Sequence, residues 1–167
     1  MPTTIDSLPL RTYTTPRTWS EILPGLWQGG TAWSDDLRLD SCELGESFTI
    51  TLDDFDVVAT MYAGAKPAIM HVQEFRYAIY DSEIDFQDLD LDILHDLAKL
   101  VFRLWKKGNR VLIRCQGGWN RSGLLMALVL REEGFSSEEA IDLIVQRRGE
   151  RALTNNDFVE YLLSLDD

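Results

Sequence analysis

The segment from Val111 to Gly123 constrains the fold of this chain more than any other, because it places a strand, a glycine-bearing loop and a helix in succession. Residues 110–114 centre on a compact apolar run that predicts a strand. The loop 115–120 contains two adjacent glycines, and residues 122–133 are apolar enough to predict a helix. Backbone N–H groups of such a loop attract an anion, as does the positive end of the helix dipole. The order of these elements therefore predicts a phosphate-binding site.

The residue types within this loop suit a phosphate ester. Gly117 and Gly118 permit backbone angles that side chains would forbid, so the chain can wrap closely around an anion. The guanidinium of Arg121 can donate two hydrogen bonds to two phosphoryl oxygens. The ring of Trp119 has two interpretations: it stacks on an aryl phosphate, or it packs against a neighbouring loop. We predict that the substrate is bound by Arg121 and by the loop residues Gln116, Gly117, Gly118, Trp119 and Asn120.

Cys115 begins the loop and is the predicted nucleophile. Helix amino termini and nearby cations favour the thiolate form of a cysteine, which is the attacking form. The alternative is a buried cysteine at the end of a strand. Ser122 also has two interpretations, because its hydroxyl could donate to the sulfur when the thiolate leaves, or could cap the helix. Cys42, in a polar stretch, is interpreted as inert or mildly redox-active.

Residue spacing along the rest of the chain predicts an α/β fold. Residues 1–21 are predicted to form a loosely attached lead-in segment without a strand. Residues 22–167 are predicted to form one domain. Apolar runs predict further strands at 22–30, 47–52, 55–61 and 74–80, with a loop over 34–45. Spacings of three and four residues predict further helices at 91–107, 136–145 and 154–163. The expected amino-terminal caps of the first two are Asp88 or Asp90 and Ser136 or Ser137, and the last helix is expected to start near Thr154 and Asn155. We predict a mixed, largely parallel central sheet flanked by helices.

Charge and composition exclude several classes of function. The chain has 16 Lys and Arg residues against 28 Asp and Glu residues, which gives a net charge of -12. Such a charge repels nucleic acids and anionic membranes, so we expect neither as a partner. No apolar segment approaches the length of a membrane span, and we expect a cytoplasmic protein. With two cysteines and two histidines, none at ligand spacing, we expect no metal and no cofactor.

Around Cys115 the residues match a known pattern. Cys-x-x-Gly-x-x-Arg-Ser-Gly between an apolar strand and an apolar helix resembles the signature loop of the protein tyrosine phosphatase superfamily, and the chain length suits its compact dual-specificity branch. The resemblance extends over about residues 22–163. Residues 22–30 resemble the opening strand of that branch, residues 77–81 the end of its general-acid strand, and residues 155–158 its closing helix.

The resemblance implies a cysteine-phosphatase fold and a phosphatase that hydrolyses phosphotyrosine through a cysteinyl-phosphate intermediate, with phosphoserine and phosphothreonine left open. The expected substrates are phosphorylated proteins or small aryl phosphates. In these roles Cys115 attacks, Arg121 and the loop amides hold the phosphoryl oxygens, and an aspartate protonates the leaving oxygen. Arg114 stands where the family usually has histidine, so the thiolate lacks that support if the Arg114 side chain points away. The loop interior contains no lysine, which disfavours phosphoinositide substrates.

The sequence offers two candidates for the general acid. Asp81 ends the strand at 74–80, and this position matches the acid-bearing strand end of the family. Asp85 lies between Ile84 and Phe86, which could desolvate its carboxyl and favour the protonated form. We favour Asp81, because an acid must first reach the leaving oxygen.

Two other classes of function remain open. A phosphate-binding module with little or no turnover would keep the loop but would not need the thiol or the acid. A sulfur-transferring enzyme shares the strand–loop–helix context but fits Gly118 and the Arg121–Ser122 pair less well.

Overall fold

The computed structural model describes residues 18–31, 49–81 and 89–167. Five strands form one sheet in the order β1-β2-β5-β3-β4. They are β1 (Trp19–Leu23), β2 (Leu26–Gly29), β3 (Val57–Thr60), β4 (Gln73–Arg76) and β5 (Val111–Arg114). Strand β1 is antiparallel to β2, and the pairs β2–β5, β5–β3 and β3–β4 are parallel. This is the predicted mixed, largely parallel sheet.

Four helices accompany the sheet, and their ends follow the capping residues of the sequence. Helix α1 (Leu91–Lys106) begins after Asp90, whose side chain accepts a hydrogen bond from the Ile93 N–H. Helix α2 (Arg121–Glu133) ends at Gly134 in the left-handed conformation. Helix α3 (Ser137–Arg148) follows a Ser136–Glu139 capping box, and α4 (Asn156–Ser164) is capped by Asn155. The predicted caps Asp90 and Ser136 are therefore confirmed, the last helix begins where it was expected, and Asp88 lies outside the described residues.

The two faces of the sheet carry cores of different size. Side chains alternate along each strand, so Val111 and Ile113 of β5 face the large core that contains the buried residues of all four helices. Leu112 faces the opposite side, where it packs with Val58, Phe55, Ile50 and Val72 in a smaller cluster. Arg114 is two residues beyond Leu112 and therefore lies on the face of the smaller cluster.

At the amino-terminal end, the single strand predicted at 22–30 is wrong. A tight turn at Pro24–Gly25 divides this region into β1 and β2, and Gly25 has φ +78°, which favours glycine. Strand β1 begins at Trp19, so the predicted boundary between residues 21 and 22 falls within a strand. The wider division into a lead-in segment and a catalytic domain stays a prediction, because residues 1–17 lie outside the described part.

A second difference concerns the strand predicted at 47–52. Residues 49–52 form a loop and the start of a turn, in which Asp54 accepts hydrogen bonds from the N–H and hydroxyl of Thr51. Ile50 is nevertheless completely buried in the smaller core cluster. The apolar alternation thus reflects burial of a loop residue rather than strand pairing. Residues 47 and 48 lie outside the described residues, as does the predicted loop at 34–45.

The parallel strands direct the site to one edge of the sheet. Thr60 and Arg114 are register partners at the carboxyl ends of β3 and β5. The loop that begins at Cys115 leaves this edge and leads into α2. Ligand sites in open parallel sheets lie at the carboxyl ends of the strands, so the predicted phosphate site occupies the expected edge.

Candidate active site

Cys115 directly follows β5 and is 2% exposed. Its backbone N–H donates to the carbonyl oxygen of Gly29, which fixes the residue against β2. The Sγ atom lies 3.3 Å from the Oγ of Ser122 and accepts a hydrogen bond of 3.3 Å from the Gly118 N–H. The thiol therefore lies inside the loop, in contact with one backbone N–H and one hydroxyl group.

The carbonyl groups of the loop are held from outside. The Gln116 oxygen accepts from the Thr31 N–H at 3.1 Å, the Gly117 oxygen from Arg148 at 3.3 Å, and the Gly118 oxygen from Gln28 at 3.2 Å. In a trans peptide the C=O and the following N–H point in opposite directions. The N–H groups of residues 117–119 are therefore directed toward the interior of the loop, as an anion site requires.

The position of Gly118 in this loop can be occupied only by glycine. Its φ of +80° is in the left-handed region, and a Cβ at this position would lie 2.4 Å from the carbonyl carbon of Gly29. Both the backbone angle and the close approach to β2 require glycine. The sequence analysis identified Gly118 by the backbone freedom of glycine. The close packing against Gly29 is a second reason why this position requires glycine.

Arg148 is a site residue that the sequence analysis missed. It is the last residue of α3, is 5% exposed, and donates to the Gly118 oxygen at 3.0 Å and to the Gly117 oxygen at 3.3 Å. A third bond of 3.0 Å runs to the Ser20 hydroxyl of β1. Burial lowers the pKa of Arg148 to about 10, while the negative charge of Cys115 acts in the opposite sense. The loop therefore rests against a buried cation.

Arg121, the first residue of α2, lies at the side of the site toward β3 and β4. Its Nη1 donates to the Ile79 oxygen at 3.4 Å, and its guanidinium lies 5.2 Å from the ring centroid of Tyr62. Its Nε is buried and has no hydrogen-bond partner among the residues that the structure describes. A buried donor without a partner is costly, so this atom is available to an oxygen of a bound anion.

Arg114 points away from the loop. It is completely buried on the face of the smaller core cluster, where it donates to the Thr60 hydroxyl at 3.0 Å, to the Glu74 carboxylate at 2.9 Å and to the Lys66 oxygen. The support that histidine gives in the family is therefore absent here. Burial raises the pKa of Glu74, but hydrogen bonds from Thr60, Arg114 and Arg76 outweigh it and leave this pKa lowered.

Asp81 is brought to the loop, as the sequence predicted. One carboxylate oxygen accepts from the Asn120 side-chain amide at 3.1 Å, and the other accepts from the Asn155 side-chain amide at 2.9 Å. Asn120 is the loop residue before Arg121, and its own oxygen accepts from the Asn155 N–H at 2.9 Å. The carboxyl is exposed and adjoins the loop. Asp85, the second candidate acid, lies outside the described residues.

The structure distinguishes between the two interpretations of Ser122 and bears on those of Trp119. Helix α2 begins at Arg121, not Ser122, and its cap position is Asn120, so Ser122 is not the helix cap. Its hydroxyl faces the sulfur instead. The Trp119 ring is half-buried and packs against two guanidinium groups, with Arg148 at 4.5 Å and Arg151 at 5.5 Å from its centroid. Packing against neighbouring residues therefore accounts for this side chain in the free protein.

Within residues 18–31, 49–81 and 89–167, no three His, Cys, Asp or Glu side chains come together in a way that could hold a metal ion. No helix there has the length and apolar character needed to cross a membrane.

Comparison with known proteins agrees with this geometry. The family model described as "Dual specificity phosphatase, catalytic domain" matches residues 46–167. No curated protein sequence matches the chain.

Solved structures show the same fold. Human DUSP28 is 17% identical with a TM-score of 0.66, and the match covers 90% of this chain and 93% of that one. Tk-PTP in its active form is 21% identical with a TM-score of 0.64, and covers 89% and 96%. PTPMT1, solved in complex with PI(5)P, is 18% identical with a TM-score of 0.64, and covers 89% and 94%. The predicted cysteine-phosphatase fold is confirmed.

Proposed function

This chain belongs to the dual-specificity phosphatase family, and from that premise we propose that it hydrolyses phosphotyrosine in proteins through a cysteinyl-phosphate intermediate. The observation that carries the proposal is the position of the Cys115 thiol, which lies inside a loop whose N–H groups point inward. An anionic phosphoryl group bound by those groups would lie directly above the sulfur.

In the first step, the Cys115 thiolate attacks phosphorus and forms the S–P bond while the bond from phosphorus to the tyrosine oxygen breaks. Arg121 and the inward N–H groups bind the three remaining oxygens and stabilise the charge that develops on them. Asp81 gives its proton to the leaving tyrosine oxygen. The contact between Asp81 and Asn120 supports this role, because it keeps the carboxyl beside the loop.

In the second step, water attacks the phosphocysteine. Asp81, now a carboxylate, takes a proton from that water, and the S–P bond breaks to release phosphate and the thiolate. The Ser122 hydroxyl lies 3.3 Å from the sulfur and can donate to it as negative charge returns. A donor directed at a leaving thiolate lowers the barrier to its departure.

The substrate class rests on the residues of the loop. The five residues between Cys115 and Arg121 include no lysine, so the loop has no basic side chain to receive the additional phosphates of a phosphoinositide. PTPMT1, the structural neighbour that was solved with PI(5)P, is only 18% identical, so its ligand does not transfer to this chain by similarity. Phosphotyrosine in a protein or a small aryl phosphate is the substrate that we propose.

The test is hydrolysis of matched phosphotyrosine and phosphothreonine peptides, a small aryl phosphate and soluble phosphoinositides. We expect aryl phosphate and phosphotyrosine peptides to be hydrolysed faster than phosphoinositides, with inhibition by vanadate. A reversed ranking would contradict the substrate class. Binding of vanadate without hydrolysis of any of these substrates would instead favour the phosphate-binding module, and sulfur transfer from thiosulfate would favour the third class.

A further inference from the structure

We infer that Arg148 is a positioning residue that stabilises the Cys115 thiolate through the peptide group between Gly117 and Gly118. The carbonyl of this peptide group accepts from Nη2 of Arg148 at 3.3 Å, and its N–H donates to the Cys115 sulfur at 3.3 Å. One peptide plane therefore joins the cation to the sulfur. The inference deepens the proposed function and rests on it, because the thiolate matters for turnover only if Cys115 is the nucleophile.

Hydrogen bonds in such a series polarise one another. A cation that donates to a carbonyl increases the positive charge on the N–H of the same peptide group, and a more positive N–H binds a thiolate more strongly. The effect is greatest where water is excluded, because the effective dielectric constant is low there. Arg148 is 5% exposed and Cys115 is 2% exposed, so both ends of the path are buried.

The electrostatics of Arg148 agree with this path. Burial disfavours the charged guanidinium, and the negative charge of Cys115 favours it. Attraction between two groups is mutual, so the cation favours the thiolate to the same extent that the thiolate favours the cation. Removal of this charge should therefore leave a larger fraction of Cys115 protonated near neutral pH.

Other charged and polar groups around Cys115 do not repeat this path. Arg121 at the start of α2 contacts Ile79 and Tyr62, and Ser122 supplies a neutral hydroxyl. Arg114 is adjacent in sequence but is paired with Glu74 on the opposite face of the sheet. The carboxylate of Asp81 contacts the loop through Asn120. Arg148 thus combines burial with a direct path to the sulfur, which these other groups do not.

The experiment measures alkylation of Cys115 by iodoacetamide against pH, with mass spectrometry of the peptide that contains residue 115 so that Cys42 does not contribute. Arg148→Gln removes the charge but keeps a donor for the loop carbonyls. For each protein, the alkylation rate at about pH 6 is divided by the rate on its alkaline plateau. We expect this ratio to be roughly tenfold lower in Arg148→Gln than in the wild type, because only the thiolate reacts. Arg148→Lys keeps the charge but lacks the planar set of donors with which the guanidinium reaches both carbonyls, and a fall of about threefold is expected.

Two control variants separate the path from general damage to the loop. Ser20→Ala removes the third hydrogen bond of Arg148 and leaves the peptide path intact. Arg114→Gln removes the cation that is nearest in sequence. Both are expected to keep the wild-type pH profile of alkylation, with folding checked by circular dichroism.

A wild-type profile in folded Arg148→Gln would overturn the inference, as would an equal shift in Arg114→Gln. If Arg148→Gln does not fold, Arg148→Lys decides, and an unchanged profile there overturns the inference. Alkylation needs no turnover. A failure of the proposed function, seen as full activity of Cys115→Ser, is therefore distinguishable from a failure of this inference.

Discussion

Asn155 donates a hydrogen bond of 2.9 Å from its side-chain amide to the carboxylate of Asp81, although 74 residues separate them in sequence. The other end of the same side chain caps α4 by accepting from the N–H groups of Asp157 and Phe158. Asn120 of the loop donates to the second oxygen of Asp81. The start of α4, the phosphate-binding loop and the chain after β4 therefore meet at one carboxyl group.

Replacement of the proposed nucleophile tests the mechanism most directly. We expect Cys115→Ser to lose turnover while it still binds vanadate or phosphate, because the loop amides and Arg121 remain but a serine hydroxyl is not ionised near neutral pH. Steady-state kinetics and calorimetric titration with phosphate measure the two properties. Cys42→Ser is the matched control and should keep its activity. Near wild-type activity of Cys115→Ser would refute the cysteinyl-phosphate intermediate.

Arg121→Lys separates charge from geometry at the phosphate site. Lysine keeps the positive charge but has no planar pair of donors, so it cannot reproduce the contacts of the guanidinium. We expect kcat/KM for an aryl phosphate to fall by about a hundredfold or more, as when a donor to a developing charge is lost. Arg103→Lys, at an exposed position of α1, serves as the control. Equal activity of both variants would exclude a bidentate role for Arg121.

The buried pair of Arg114 and Glu74 is expected to stabilise the fold and to respond to pH. We expect Glu74→Gln to lower the free energy of unfolding by about 3 kcal/mol, because it leaves the completely buried Arg114 without its counter-charge. In urea denaturation, Asp56→Asn is the control, since its pair with Arg110 is partly exposed and should contribute much less to stability. Equal losses in the two variants would contradict this assignment.

The pH dependence of this pair has a definite sign. The folded-state pKa of Glu74 lies below its ordinary value of 4.5. A lowered carboxyl pKa contributes stability that is fully present above the unfolded value and is lost as the pH falls through the folded one. The wild type should therefore lose more stability than Glu74→Gln when the pH is lowered below 4.5.

The sequence predicted those parts of the fold in which local pattern and burial agree. Helix α1 was expected to end at about Lys107 and ends at Lys106, and the apolar run before Cys115 forms β5. The β1–β2 hairpin was missed because the turn at Gly25 was interpreted as part of one strand. The alternation of apolar residues predicts a strand around Ile50, but such alternation reflects burial rather than hydrogen bonding. A loop residue can be as deeply buried as a strand residue.

The candidate site was predictable where its residues are close together in sequence. Residues 115–122 form one loop and the start of one helix, so their arrangement follows from local spacing. Arg148 lies on a different helix, and an arginine near the carboxyl end of a helix usually indicates exposure and interaction with the helix dipole. Only the packing of α3 against β1 and the loop shows that it is buried. The sequence also does not predict the ion pair between Arg114 and Glu74, because the register between separate strands is not encoded by local sequence.

Removal of divalent metal ions should not lower the activity. The proposed site supplies its positive charge through Arg121, Arg148 and backbone N–H groups, and the chain has only two histidines and two cysteines. We expect the rate of aryl phosphate hydrolysis to be unchanged after treatment with EDTA and dialysis. A loss of activity that a divalent ion restores would contradict this prediction.

The identity of the general acid is tested by comparing leaving groups. We expect Asp81→Asn to lower kcat for an alkyl phosphate by about a hundredfold, because a poor leaving oxygen depends on proton donation. The effect on a p-nitrophenyl ester should be much smaller, since that oxygen leaves readily as an anion. A structural defect in the loop would instead lower both rates equally. Asp92→Asn, at an exposed position in the first turn of α1, is the control for loss of one negative charge.

Asp85→Asn provides the comparison between the two candidate acids. A general acid must be protonated, so the wild-type kcat for the alkyl phosphate should fall on the alkaline side of its pH profile. This fall should disappear in Asp81→Asn and persist in Asp85→Asn. The hydrogen bonds from Asn120 and Asn155 support Asp81, because they hold its carboxyl beside the loop. Disappearance of the alkaline fall in Asp85→Asn, with Asp81→Asn unaffected, would assign the acid to Asp85.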